Sequence, residues 1–248
     1  MKQRLTSLYR FAKELLTAFY QGLRHALRGH GHLVVLLLLG IGVPWLIFVN
    51  VAEDIWESGG FIGDQPILRW LHARQNPGLD QLALAFTQAG GPTIMAIAGV
   101  GIGALLLWQR RQTAAWFFGL SVGGAVLLNV VAKLLFGRPR PALWDSIAPE
   151  GFYSFPSGHA MGSAALAAAL AFLVWRTPWR WPAVVAGTLF ALGVGLSRMY
   201  LGVHFPSDVL AGWFCSVGWV ASLHIFFSPD LAQLRAWWRE AKGAIAKW

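Results

Sequence analysis

Cysteine is almost missing from this chain: its single copy, Cys215, cannot close an intramolecular disulfide and says nothing about redox compartment. Charge is scarce too. Asp, Glu, Lys and Arg make up 12% of the 248 residues, and only 11 of them are acidic. A soluble domain carries roughly twice that share of charge. Against 56% hydrophobic residues and a mean hydropathy of +0.52, that shortage excludes a water-soluble fold and puts the chain in a bilayer. No internal repeat, low-complexity tract or second domain interrupts the pattern, and no His, Cys or carboxylate cluster has metal-ligand spacing. His25, His30 and His32 sit together only in the basic leader, and His72 and His224 receive no role.

What is present fits a membrane protein. The 28 Gly allow close helix approach, and the 14 Trp suit the headgroup level. The net charge of +9 reads as a surface facing anionic lipid rather than as a nucleic-acid footprint, because it flanks apolar spans. Apolar segments at 33–52, 82–107, 114–136, 159–175, 183–200 and 209–227 are each long enough to cross a core of about 30 Å. They predict an all-α, polytopic membrane protein with six transmembrane helices. The first follows basic residues as a signal peptide would, but it lacks a persuasive cleavage site and is read as an uncleaved helix. Pro92, after Gly90 and Gly91, either kinks the second span or marks its true start.

Positive charge sets the orientation. With the amino terminus inside, Arg69, Arg74, Lys133, Arg138, Arg140 and Arg198 fall outside, and the other 14 of the 20 Lys and Arg fall inside. Both termini are therefore expected in the cytoplasm. The basic leader at 1–32 and the tail at 229–248, with Trp237 and Trp238 beside Arg235, Arg239 and Lys242, read as amphipathic segments on the inner surface around a membrane domain at 33–228. Between the first two spans, GDQPILRWLHARQNPGLD reads as a short interfacial helix with Ile67, Leu68, Trp70 and Leu71 toward lipid, serving as an anchor or as a gate for a lipid substrate.

Ionisable groups at membrane depth are costly and mark function. Here they gather at helix ends on one face: Lys133 closes the third span, Ser157 and His159 open the fourth, Ser197 and Arg198 close the fifth, and His204 and Asp208 open the sixth. Lys133, Arg140 and Arg198 supply fixed positive charge for an oxyanion, with Arg138 a fourth cation whose part Arg140 could also play. Pro156-Ser157-Gly158-His159 precedes a helix, so the Ser157 hydroxyl and free backbone N–H groups suit phosphate, and Gly158 leaves room for close approach. His204 and Asp208 are four residues apart and share a helix face, with Pro206 in the first turn. The carboxylate can hold the imidazole in one tautomer while the ring attacks phosphorus, and His159 can protonate the leaving oxygen and then activate water.

These residues resemble the type 2 phosphatidic acid phosphatase superfamily in a three-part signature. KLLFGRPRP carries the Lys, six residues, Arg-Pro element with Lys133, Arg140 and Pro141; PSGH is Pro156 to His159; and SRMYLGVHFPSD carries Ser197, Arg198, His204 and Asp208 at the family spacing. The resemblance spans Lys133 to Asp208 by signature and most of the chain by layout. It implies a metal-independent phosphatase, without cofactor, that passes through a phosphohistidine on His204, with His159 as acid and base, Asp208 orienting His204, and Lys133, Arg140, Ser157, Gly158 and Arg198 binding phosphate. The implied partners are membrane lipids and a phosphorylated lipid substrate such as undecaprenyl diphosphate, phosphatidylglycerol phosphate, phosphatidic acid or the lipid A 1-phosphate, and the motifs do not separate these. Expected localisation is a bacterial inner membrane with the site facing periplasm or exterior. Two other functions compete: vanadate-dependent halide oxidation, known in soluble relatives and disfavoured by six spans, and a non-catalytic lipid-phosphate binding or transport protein, disfavoured because the charges lie at one depth.

Overall fold

The computed structural model describes residues 35–227, so the basic leader and tail lie outside the described residues. Two compact units are distinguished, Met1–Leu39 with Ile225–Trp248, and Gly40–His224; every residue of the site described below belongs to the second. Among the described residues all regular structure is helical. A π-helical stretch, Leu36–Gly42, runs into α1 (Val43–Ser58). It is followed by α2 (Asp64–His72), α3 (Pro77–Ala89), α4 (Pro92–Trp108), α5 (Gln112–Phe136), α6 (Gly158–Leu173), α7 (Arg180–Tyr200) and α8 (Pro206–Phe227).

Local chemistry sets the breaks. Asn76 caps α3 by accepting the Leu79 N–H at 3.0 Å, with Pro77 as the first helical residue. Pro92 opens α4 after Gly90 and Gly91, because proline lacks the N–H that would continue α3. Gly137 ends α5 in the left-handed region at φ 55°, which spares it the Cβ clash of other residues.

Leu36–Ser58, α5, α7 and α8 are each long and apolar enough to cross a membrane, and α3 with α4 qualifies as one span bent by 43°. The expected fourth span is the 16-residue α6, which at 1.5 Å per residue is about 24 Å long, short of a ~30 Å hydrocarbon core. Within the second predicted span, Pro92 starts a new helix at the 43° bend.

Packing follows membrane logic. On α5, Val126, Leu127, Leu134 and Leu135 are exposed, as lipid-facing side chains are, whereas α6 buries Ala160, Ser163, Ala164, Ala165 and Ala169. Small residues let α5 and α7 close on α6, which lies between them. One expectation is corrected. Leu68 of α2 does not face lipid: it is fully buried with Ala160, Met199 and Val209, while Ile67 and Trp70 are exposed. Burying α2 by that face ties the segment before α3 to the end of α7 and the start of α8. Tyr200 strengthens the tie, donating to Asp80 at 2.6 Å and accepting from the Asn76 N–H at 3.2 Å.

At Gly195 the α7 backbone approaches α8 so closely that a Cβ would collide with the Trp213 ring and come within 2.7 Å of Val209. Gly195→Leu is expected to cost about 1–3 kcal/mol through overpacking. A lowered Tm of the detergent-solubilised protein checks it.

Candidate active site

The predicted cluster assembles at one end of the helices. Lys133 lies in the last turn of α5, Ser157 and His159 at the start of α6, Arg198 in the last turn of α7, and His204 and Asp208 around the start of α8. The connection from Gly137 to Ser157 folds over them and adds two residues that motif reading passed over, Glu150 and Ser154.

His204 is fully buried in the turn between α7 and α8. Its Nε2 lies 3.0 Å from Arg140 Nη1. A guanidinium only donates, so Nε2 must be the accepting nitrogen and the ring proton sits on Nδ1. Nδ1 faces the Ser154 hydroxyl at 3.4 Å and the Asp208 carboxylate at 3.5 Å. Burial pushes the imidazole down to about 4, against the raising effect of Asp208 and with further lowering from Arg140 and Arg198. At neutral pH His204 is thus an uncharged base whose Nε2 lone pair points toward Arg140.

Asp208 has more partners than a residue reserved for His204. Its Oδ2 accepts from the Phe205 N–H at 2.8 Å and from the Ser154 hydroxyl, and its Oδ1 accepts from Arg138 Nη1 at 2.5 Å. The histidine contact is the longest of the four. Asp208 also caps its own helix through that Phe205 bond.

The cations fall into two groups. Arg140 and Arg198 converge on Glu150: Arg140 Nη2 is 2.9 Å from Oε2, Arg198 Nη2 is 2.5 Å from Oε1, and His159 Nδ1 is 3.7 Å from the same Oε1. Burial alone would raise the Glu150 carboxyl, but the charges of Arg198 and Arg140, joined by His159 when it is protonated, hold it below the usual range, so it is ionised. Arg198 Nη1 also donates to Thr87 at the end of α3. Its Nε and Nη2 are buried without a well-angled hydrogen bond, so the close Glu150 ion pair is poorly aligned. Arg138 does not join this group. It turns the other way, to Asp208 and to Asp64 at 2.7 Å.

The remaining predicted residues are held by protein groups. Lys133 Nζ donates to the Tyr153 carbonyl at 2.6 Å, anchoring the covering connection. The Ser157 hydroxyl accepts the Ala160 N–H at 3.5 Å as the α6 cap. Gly158 leaves room chiefly for Asn129: a Cβ there would come within 3.1 Å of Asn129 Oδ1, and Asn129 donates to the Pro156 carbonyl at 2.9 Å. No sequence signal marks Asn129 or Thr87, which carry no charge and sit inside apolar helices, or Asp64, which looks like an ordinary helix start.

The chain is similar to known proteins in sequence and in fold. A family model described as the PAP2 superfamily matches residues 114–230, which contain all the predicted site residues. Phosphatidylglycerophosphatase B of Bacillus subtilis (strain 168) is 32% identical over 175 residues, covering 68% of this chain and 85% of that protein. An undecaprenyl-diphosphatase of Sulfolobus acidocaldarius is 30% identical over 128 residues, 49% of this chain and 58% of that one. The crystal structure of a transmembrane PAP2-type phosphatidylglycerolphosphate phosphatase from Bacillus subtilis superposes with a TM-score of 0.67 at 28% identity, covering 74% of this chain and 94% of that one. By sequence and fold, the chain belongs to the PAP2 superfamily.

Proposed function

We propose that the protein is a lipid phosphatase of a bacterial membrane that hydrolyses a phosphate or diphosphate monoester of a lipid at the outer face, through a phosphohistidine on His204. Undecaprenyl diphosphate or a phosphatidylglycerol phosphate or phosphatidic acid type of lipid is the proposed substrate, in line with the names of the relatives above. Six crossings, with the bent α3–α4 pair as one and the short α6 as another, would keep both termini inside.

One observation carries the reading: an ionised carboxylate, Glu150, is gripped by two arginines and faced by a histidine within a cluster of buried charge. Its two oxygens stand where two phosphoryl oxygens would be recognised, since Arg offers the same forked donors to either group. Beside them the His204 Nε2 lone pair is directed at one of the two, Arg140.

In the first step His204 Nε2 attacks phosphorus, the bond from phosphorus to the leaving oxygen breaks, and His159 gives that oxygen its proton. In the second, His159 takes a proton from water, the hydroxide oxygen bonds to phosphorus, and the phosphorus–nitrogen bond breaks to release inorganic phosphate. Arg140 and Arg198 neutralise the charge on the equatorial oxygens, with Lys133 adding positive field. Ser154 and Asp208 steady the Nδ1 proton as the ring becomes cationic.

Three outcomes are expected. Purified protein in detergent with chelator should release phosphate from at least one lipid phosphate or diphosphate; His204→Gln should abolish turnover and His159→Gln should reduce kcat roughly 10²–10⁴-fold. Turnover that survives in His204→Gln rules out the phosphohistidine, and binding without turnover by wild type points to a carrier. Glu150→Gln should tighten inhibition by orthovanadate on the order of tenfold, because a neutral amide competes less for the arginines; an unchanged inhibition constant would separate Glu150 from the phosphate site. Because the reactive, neutral His204 is present above a value near 4 and is lost as pH falls through it, the acid limb of the kcat/KM profile should lie well below 6.5, the ordinary histidine value.

A further inference from the structure

Behind the nucleophile, Asp208 joins a set of buried groups whose other members, Asp64, Arg138 and Ser207, are not signature residues. Asp64 opens α2, Arg138 follows α5, and Ser207 and Asp208 open α8. Arg138 Nη2 is 2.7 Å from Asp64 Oδ2, and its Nη1 donates to Asp208 Oδ1 at 2.5 Å and to the Ser207 hydroxyl at 2.8 Å. Ser207 returns two bonds to Asp64, from its N–H at 3.0 Å and its hydroxyl at 2.6 Å. The Phe205 ring lies against the guanidinium, 4.2 Å from its carbon to the ring centre. All four polar residues are at most 5% exposed.

Charge bookkeeping gives this cluster a purpose beyond holding helices together. Arg138 and Asp208 alone would sum to zero, so a positive charge formed on His204 would meet no net negative charge behind it, and Arg140 and Arg198 lie in front. Adding Asp64 makes the set of three net negative, and a cationic His204 then brings it to neutrality. In a buried site, where opposite charges interact far more strongly than in water, that difference bears on the transition state.

We propose that Asp64 and Arg138 are positioning residues of the phosphatase reaction: together they fix Asp208 in charge and orientation, and Asp64 supplies the net negative charge that stabilises His204 as it becomes cationic. This rests on the phosphohistidine reading above. Neither residue touches the phosphate site, so the effect falls on the chemical step. The lipid phosphate should bind as before.

The test uses the full chain in detergent and the lipid that wild type hydrolyses, comparing Asp64→Asn, Arg138→Gln and the double variant for kcat, KM and Tm. Asp64→Asn should lower kcat roughly 10- to 100-fold, the scale seen when outer-shell partners of reactive groups are removed, with KM nearly unchanged. Arg138→Gln should be worse, because it strands two carboxylates that can share a proton and so leave Asp208 neutral. The double variant should recover part of that loss, since Asp208 is then the one acid left in the cluster. Scaffolding alone predicts kcat that follows Tm through all three variants, including any recovery in the double variant, where no charge is left stranded beside Asp208. Wild-type kcat in Asp64→Asn, or absence of recovery in the double variant, overturns the proposal. If Arg138→Gln does not fold, Asp64→Asn decides through the split between kcat and KM. If Asp64→Asn does not fold either, Ser207→Ala, which removes one bond to Asp64 and one to Arg138, must lower kcat without raising KM, or the proposal fails. A wild type that hydrolyses no lipid phosphate defeats the phosphatase reading and this inference with it, whereas an active wild type with unimpaired variants defeats only the inference.

Discussion

Arg138 sits between two buried carboxylates, and much of the site's geometry hangs on that bridge. Asp64 comes from the segment after α1, Arg138 from the end of α5 and Asp208 from the start of α8, so one guanidinium joins three distant parts of the chain. Burying such charges is costly, and removing one partner of a buried pair typically destabilises by about 3–5 kcal/mol because the other is left uncompensated. The start of α8 is consequently fixed, and with it the turn that carries His204. Ser154 and the Phe205 N–H complete the Asp208 carboxylate from the other side.

The two groups of cations do different jobs because their partners differ in accessibility. Arg138 is sealed by Asp64, Asp208 and the Phe205 ring. Arg140 and Arg198 face Glu150, whose side chain keeps 30% of its exposure and belongs to a connection rather than a helix. A carboxylate on such a segment can be exchanged for a substrate phosphate at modest structural cost. One on the buried side cannot. The division puts rigid charge behind His204 and the more exposed charge in front of it.

The outer helices serve this arrangement through packing. Alanine-rich α6 is short, and its amino-terminal end brings Ser157 and His159 to the cluster while α5 and α7 close around it. The bend between α3 and α4 leaves Thr87 beside Arg198, and the buried face of α2 leaves Asp64 beside Arg138. Breaks that interrupt the apolar runs thus coincide with residues that reach the site, as expected where irregular backbone at membrane depth must be buried in protein.

The sequence by itself determined the class of molecule and the residues with intrinsic chemistry. Apolar runs compelled helices in a bilayer, and Lys133, Arg140, Ser157, His159, Arg198, His204 and Asp208 were legible because charged and hydroxyl groups at helix ends stand out against hydrocarbon and keep fixed spacings. The tertiary structure alone decided how those groups are partnered: that Arg138 faces away from the other arginines, that Asp208 is shared among four donors, that Glu150 enters the arginine pair, and that Leu68 and Asp64 turn inward. The physical reason is range. Helical periodicity and motif spacing reach across a few residues, whereas Arg138 meets Asp208 and Asp64 across 70 and 74 residues and Ser207 meets Asp64 across 143, and nothing local distinguishes an aspartate that starts a helix from one that balances a buried arginine.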